Sequence, residues 1–120
     1  MNSLRVPEDL DAVVTARDFV VALAEDWGSS DAEDLAVVTS ELVTNAIVHA
    51  RSAPTVTISR AGDGKVRLEV RDDDPSPPVV RAPYDRHTRG HGLHIVAALS
   101  EEWGVEVVGG TKVVWCRVEV

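Results

Sequence analysis

The feature that most restricts the fold is a segment of helical periodicity, from about Ala32 to Ala50, that is apolar around most of its circumference. Apolar residues three and four apart form two faces, Leu35, Val38, Leu42 and Ala46 on one and Ala36, Val43, Ile47 and Ala50 on the other. Because water disfavours such a helix unless other elements cover it, we predict that it lies at the centre of a globular domain.

Two further helices are predicted, one before and one after this central segment. The first begins with a proline and several acids at 7–11, which are typical of a first helical turn, carries an apolar stripe over 13–27 and ends at Gly28. The second opens at glycines and runs over about 90–99.

Alternating polarity predicts four strands in two hairpins. The first pair, at 55–59 and 66–70, is joined by a glycine-rich turn, and the second, at 103–108 and 111–120, by Gly109-Gly110. This order predicts an α+β fold, a two-layer sandwich with a mostly antiparallel sheet and the helices on one face. It contains neither the strand-helix-strand alternation of the Rossmann fold nor a P-loop motif.

Length and charge exclude several functional classes. At 120 residues, the chain is expected to form one domain over 1–120. Its 12 basic and 20 acidic residues give a net charge of −8, which repels nucleic acids and anionic membranes. No apolar run approaches the roughly 18 to 20 residues that cross a bilayer, and the N-terminus does not resemble a signal peptide, so a cytoplasmic protein is expected.

Three polar residues interrupt the central helix. Glu41, Asn45 and His49 are spaced by four residues, so they lie along one slowly drifting stripe. A carboxylate buried among apolar residues requires a partner such as a metal ion or a ligand. An exposed polar stripe is the structural alternative.

Asp72 and two glycines are further candidates. Asp72 continues the inward row of the second predicted strand, where it could accept a hydrogen bond from a ligand or cap a backbone amide. Gly90 and Gly92 could present backbone amides to an anion at a helix start, or simply begin the helix. Between them and the strand, a proline-rich segment at about 73–89 predicts a long functional loop.

Histidine and cysteine give weaker indications. His87, His91 and His94 have a spacing that could hold a metal on a continuous helix, but the glycines interrupt that helix, and solvated loop histidines are the alternative. Cys116, the single cysteine, lies in an apolar run and is interpreted as a core thiol.

Taken together, these motifs resemble a known nucleotide site. The segment 41–50 resembles the N-box of the superfamily named for gyrase, heat-shock chaperone, histidine kinase and mismatch-repair ATPases, whose ATP-binding domain is the Bergerat fold. Asp72 resembles its adenine-binding aspartate, 89–96 its second glycine box and 109–115 its closing hairpin. Within it, Trp103-Gly104 and the chain's ending resemble the single-domain anti-sigma-factor serine/threonine kinases.

The resemblance implies a role for each matching residue. Asn45 would hold Mg²⁺, and Asp72 would accept the adenine amino group. Glu41 would be the general base that takes the proton from the attacking hydroxyl.

The remaining matches would complete the nucleotide site. Gly90, Gly92 and Leu93 would hold phosphate at the start of the third helix, below a lid formed by 73–89. His49 and Thr111 would line the site. After Asp72, a proline-rich segment stands where the broader superfamily has its first glycine box. The anti-sigma branch tolerates this proline-rich form.

The resemblance therefore implies an ATP- and Mg²⁺-dependent protein serine/threonine kinase that sequesters a sigma factor and phosphorylates an antagonist protein. A homodimer is expected by the same analogy. The alternative is an ATP-binding module without catalysis, which acts through partner binding alone.

Overall fold

The structure, a computed structural model, describes residues 2–29, 32–50, 53–60, 65–73 and 91–118. In chain order, its elements are β1 (Asn2–Arg5), α1 (Ala12–Asp26), α2 (Ala32–Asn45), a π turn (Ala46–Ala50), β2 (Thr55–Arg60), β3 (Val66–Asp72), α3 (His91–Leu99), β4 (Glu102–Val108) and β5 (Thr111–Val118). The predicted α+β class is confirmed. None of the helices in these ranges is long and apolar enough to span a bilayer.

Alternating polarity builds an antiparallel sheet with the strand order β1-β2-β3-β5-β4. In the central strand, Val66, Leu68 and Val70 are buried, while the residues between them are only partly buried. Leu68 lies directly opposite Cys116 of β5, so the inward residues of neighbouring strands share one face. β2 pairs with β3 and β4 pairs with β5, so the two predicted hairpins are correct.

The turn between β4 and β5 depends on two glycines. Gly109 and Gly110 have φ angles of 58° and 80°, which side chains rarely adopt. Two consecutive positive φ angles are typical of the type I′ turn, whose twist matches that of an antiparallel hairpin.

Helix α2 is central, as its two apolar faces predict. It contacts α1, α3, β3 and β5. Leu35, Val38 and Val43 are completely inaccessible to solvent, and both faces contribute to one apolar core. The buried hydroxyl of Thr39 donates to the Leu35 carbonyl at 2.7 Å, so it adds no unpaired polar group to that core.

The N-terminus differs from the sequence analysis in one expectation and in one element that was not predicted. Helix α1 begins at Ala12, and the segment 7–11 forms a turn before it, in which the Asp11 amide donates to Asp9 Oδ1 at 2.9 Å. Strand β1 is not predicted by the sequence analysis, because four residues are too few to show an alternating pattern. It is formed by pairing with β2, where Leu4 lies opposite Val56.

The prediction of a regular helix up to Ala50 is also wrong. The α-helix ends at Asn45, and the chain continues as the π turn. Both forms bury the same kinds of residue, so apolar spacing alone does not distinguish them. Single π turns within helices are frequent at functional sites.

The sheet face opposite the helices carries an aromatic stack across three strands. The Arg67 guanidinium of β3 lies 4.4 Å from the ring centroid of Trp115 on β5. Gly104 of β4 is paired with Trp115, and a Cβ atom placed there would lie 2.9 Å from three indole atoms. The absence of a side chain at Gly104 thus gives the indole its space.

We predict that Gly104→Ala lowers the free energy of unfolding by about 1 to 3 kcal/mol, because the methyl group must displace the indole from its contact with Arg67. Urea denaturation measures the effect. Glu106→Ala, at an exposed position on the same strand face, is the control and should change stability by less than about 0.5 kcal/mol. Equal effects of the two substitutions would contradict the packing explanation.

Candidate functional site

Asp72 is the last residue of β3 and is buried, with 3% of its surface exposed. It follows Val66, Leu68 and Val70 on the face that the helices cover, as the alternation predicts. The structure thus places a carboxylate at the end of an apolar row, where the strand leaves the core.

Lys112 of β5 lies directly opposite Asp72. Its Nζ atom is 3.5 Å from Asp72 Oδ2, and the two side chains are 7% and 3% exposed. Among the residues that the structure describes, the buried polar and charged side chains are Thr39, Asp72 and Lys112. The charges buried in this part of the chain therefore form one ion pair at the end of the central strand.

The sequence analysis did not identify Lys112 as a site residue. The available signal was its position on β5, two residues before Val114 and four before Cys116, which are both buried. A lysine on the inward row of a strand requires a partner, and the register supplies Asp72. Thr111, the preceding residue, begins β5 and is partly buried.

Glu41 and Asn45 lie one turn apart on α2, and both are partly buried. Their neighbours Leu42 and Val43 are buried in the core. The polar stripe therefore follows the rim of the core and is neither fully solvated nor fully enclosed. Helix α2 and the π turn contact β3, so the structure packs this end of the helix against the strand that ends at Asp72.

The change from α-helix to π turn falls directly after Asn45. The backbone of His49 lies within the π turn, and its side chain is outside the described part of the structure. The wider turn changes the direction in which residues after Asn45 leave the helix axis. The spacing of four residues therefore does not place position 49 on the α-helical stripe of Glu41 and Asn45.

The second glycine box is described from residue 91 onward. Gly92 and Leu93 are in the first turn of α3, whose initial backbone amides have no partner within the helix. Such a turn carries partial positive charge and is suited to an anion. Gly90 and residues 74–89 of the predicted lid lie outside the described residues.

The histidine-based metal site lies outside the part of the chain that the structure describes. His87 and the side chains of His91 and His94 lie outside the described residues. Within the described ranges, no group of three or more histidine, cysteine, aspartate or glutamate side chains could hold a metal ion.

Cys116 is buried and lies opposite Leu68 in the sheet. Burial raises the pKa of its thiol to about 11, against smaller lowering effects of Ser100, the Arg67 charge and the Leu68 backbone. At neutral pH the thiol is therefore protonated and a poor nucleophile. Its interpretation as a core residue is correct.

Comparison with known proteins identifies the family. The profile of the histidine kinase-like ATPase domain matches residues 6–117. No curated protein sequence matches the chain significantly.

Solved structures share the fold at low identity. The RsbU and RsbW domains of Rv1364c from Mycobacterium tuberculosis align at 22% identity and a TM-score of 0.76, over 98% of this chain and 32% of that one. The SiaB–SiaC complex from Pseudomonas aeruginosa aligns at 15% identity and a TM-score of 0.77, over 98% of this chain and 89% of that one. Full-length ShkA in complex with AMPPNP aligns at 20% identity and a TM-score of 0.62, over 98% of this chain and 31% of that one. The chain thus spans about a third of the first and third of these proteins.

We predict that Cys116 reacts with an aromatic disulfide reagent at least about 100-fold more slowly in the folded protein than in urea at pH 8. A thiol with a pKa of about 11 is ionised to roughly one part in a thousand at this pH, and burial further limits access. The absorbance of the released thiolate measures the rate, and the single cysteine makes the signal unambiguous. Rapid stoichiometric reaction of the folded protein would contradict this assignment.

Proposed function

The chain belongs to the family of histidine kinase-like ATPase domains, and from that membership we propose that it binds ATP with Mg²⁺ and phosphorylates a serine or threonine of a partner protein. The observation that carries the proposal is the buried carboxylate of Asp72 at the end of β3. A charged acceptor in this position is costly for the fold and suits a ligand with a hydrogen-bond donor. The amino group of adenine is such a donor.

The residues of α2 suit a magnesium-bound triphosphate. Asn45 offers an amide oxygen, a hard ligand of the kind that Mg²⁺ accepts, and it is only partly buried at the end of the α-helix. When bound, the ion would neutralise negative charge on the phosphates. In the proposal, the first amides of α3, at Gly92 and Leu93, hold phosphate, together with Gly90 and the lid at 73–89. His49 and Thr111 line the remainder of the site.

In the proposal, Glu41 acts as the general base. It precedes Asn45 by one helical turn and is partly buried, so its carboxylate lies at the rim, where a partner's hydroxyl can approach. In the proposed reaction, it accepts the proton of the serine or threonine as the oxygen attacks phosphorus. Positioning and charge neutralisation supply the remaining acceleration.

The partners we propose are a sigma factor that the domain sequesters and an antagonist protein that carries the phosphorylated hydroxyl. The fold is shared with an RsbW domain and with a protein solved as the SiaB–SiaC complex, which supports a protein partner. The net charge of −8 favours a partner with a basic contact surface. We also propose that the domain acts as a homodimer.

We predict that Asp72→Asn weakens ATP binding by about 10- to 100-fold, because a neutral amide oxygen replaces the charged carboxylate and is a weaker acceptor for the amino group. Titration calorimetry with and without Mg²⁺ measures the affinity for ATP, and circular dichroism confirms that the variant folds. Glu106→Gln is the control, because it removes an exposed carboxylate on the opposite face of the sheet and should leave the affinity within about twofold. Asn45→Ala should remove the dependence of ATP binding on Mg²⁺. If Asp72→Asn binds ATP as the parent does, the nucleotide site is incorrectly placed.

We predict that Glu41→Gln lowers phosphoryl transfer by about 10² to 10⁴-fold while ATP affinity changes by less than about twofold, because the amide cannot accept the proton. The assay follows radioactive γ-phosphate from ATP into serine or threonine of proteins in an extract of cells that lack this gene. Glu33→Gln, in the exposed first turn of the same helix, is the control.

Transfer that persists unchanged in Glu41→Gln would contradict the role of general base. ATP binding without transfer to any protein in the parent would instead favour a module that acts by partner binding alone.

A further inference from the structure

Lys112 and Asp72 form a buried ion pair at positions where the packing of the core does not itself call for charge. Each lies on the inward row of its strand, where the neighbouring positions Val70, Val114 and Cys116 are apolar. Replacing a buried ion pair by apolar residues of similar volume is often neutral or stabilising, because desolvation offsets much of the attraction. Lysine at this position therefore suggests a functional role.

The pair presents a donor and an acceptor side by side at the end of the sheet. Lys112 Nζ and Asp72 Oδ2 are 3.5 Å apart. An ammonium group has three N–H donors and a carboxylate has about four acceptor positions, so this mutual contact uses only part of the hydrogen-bonding capacity of each group. A planar ligand edge with an amino donor beside a ring-nitrogen acceptor is complementary to this arrangement.

We propose that Lys112 is a specificity-determining residue of the nucleotide site, and that its ammonium donates to the N1 acceptor of adenine while Asp72 accepts from the neighbouring 6-amino group. The inference rests on the proposed binding of ATP and adds a second contact to the base. It predicts that the site discriminates against purines without an acceptor at N1, even when they retain the amino group.

Two nucleotides separate the contacts to the base. The triphosphate of 1-deazaadenosine retains the 6-amino group and replaces N1 by C–H, so it tests the proposed contact with Lys112. The triphosphate of purine riboside retains N1 and lacks the amino group, so it tests the contact with Asp72. Calorimetric titration of the full chain with ATP and with each analogue gives the affinities.

The parent protein is expected to bind 1-deaza-ATP about tenfold more weakly than ATP, because a hydrogen bond from a charged donor is lost. Lys112→Met is expected to bind ATP and 1-deaza-ATP with equal affinity, while still binding purine riboside triphosphate more weakly than ATP. Lys65→Met is the matched control: it removes the chain's other lysine, which is paired with Glu101 elsewhere, and should retain the parental preference.

The outcomes distinguish this inference from the proposed function. Equal affinity of the parent protein for ATP and 1-deaza-ATP would overturn the role of Lys112 even if Lys112→Met did not fold. A preference for ATP that persists in Lys112→Met would show that another group contacts N1. Failure of the parent to bind ATP would overturn the proposed function itself, and this inference with it.

Discussion

The burial of α2 is the constraint on which the rest of the structure depends. A helix that is apolar on two faces has to be covered by several elements, and here α1, α3 and the sheet surround it. The polar residues Glu41 and Asn45 lie at the edge of this core and are partly buried. Because α2 and the π turn after it contact β3, the burial of the helix also brings it against the strand that ends at Asp72.

The candidate site combines two local features that are unfavourable for folding. Asp72 and Lys112 bring charge into the core, and the π turn after Asn45 interrupts the regular hydrogen bonding of the helix. Both involve the central strand, because the π turn contacts β3, which ends at Asp72. Natural proteins retain departures from the simplest packing mainly where function requires them. The presence of both at this strand supports the assignment of the site to it.

The sequence predicted those parts of the fold in which a pattern extends over several residues. The two hairpins and α2 follow from periodicity, and the inward position of Asp72 follows from alternation. Strand β1 was missed because it exists through pairing with β2, and the π turn because its 5 residues are too few to show a period different from that of an α-helix. The partner of Asp72 was missed because the cross-strand register, which is a long-range property, brings Lys112 opposite it.

The alignment of β3 with β5 fixes the contacts on both faces of the sheet. On one face, Trp115 of β5 packs over Gly104 of β4 and against Arg67 of β3. On the other face, the same alignment of β3 and β5 sets Lys112 opposite Asp72. A slip of one residue would turn the ammonium toward solvent and break the stack at the same time, because successive side chains point to opposite faces. The aromatic stack and the buried ion pair therefore stabilise one register, and the geometry of the candidate base site depends on interactions on the opposite face of the sheet.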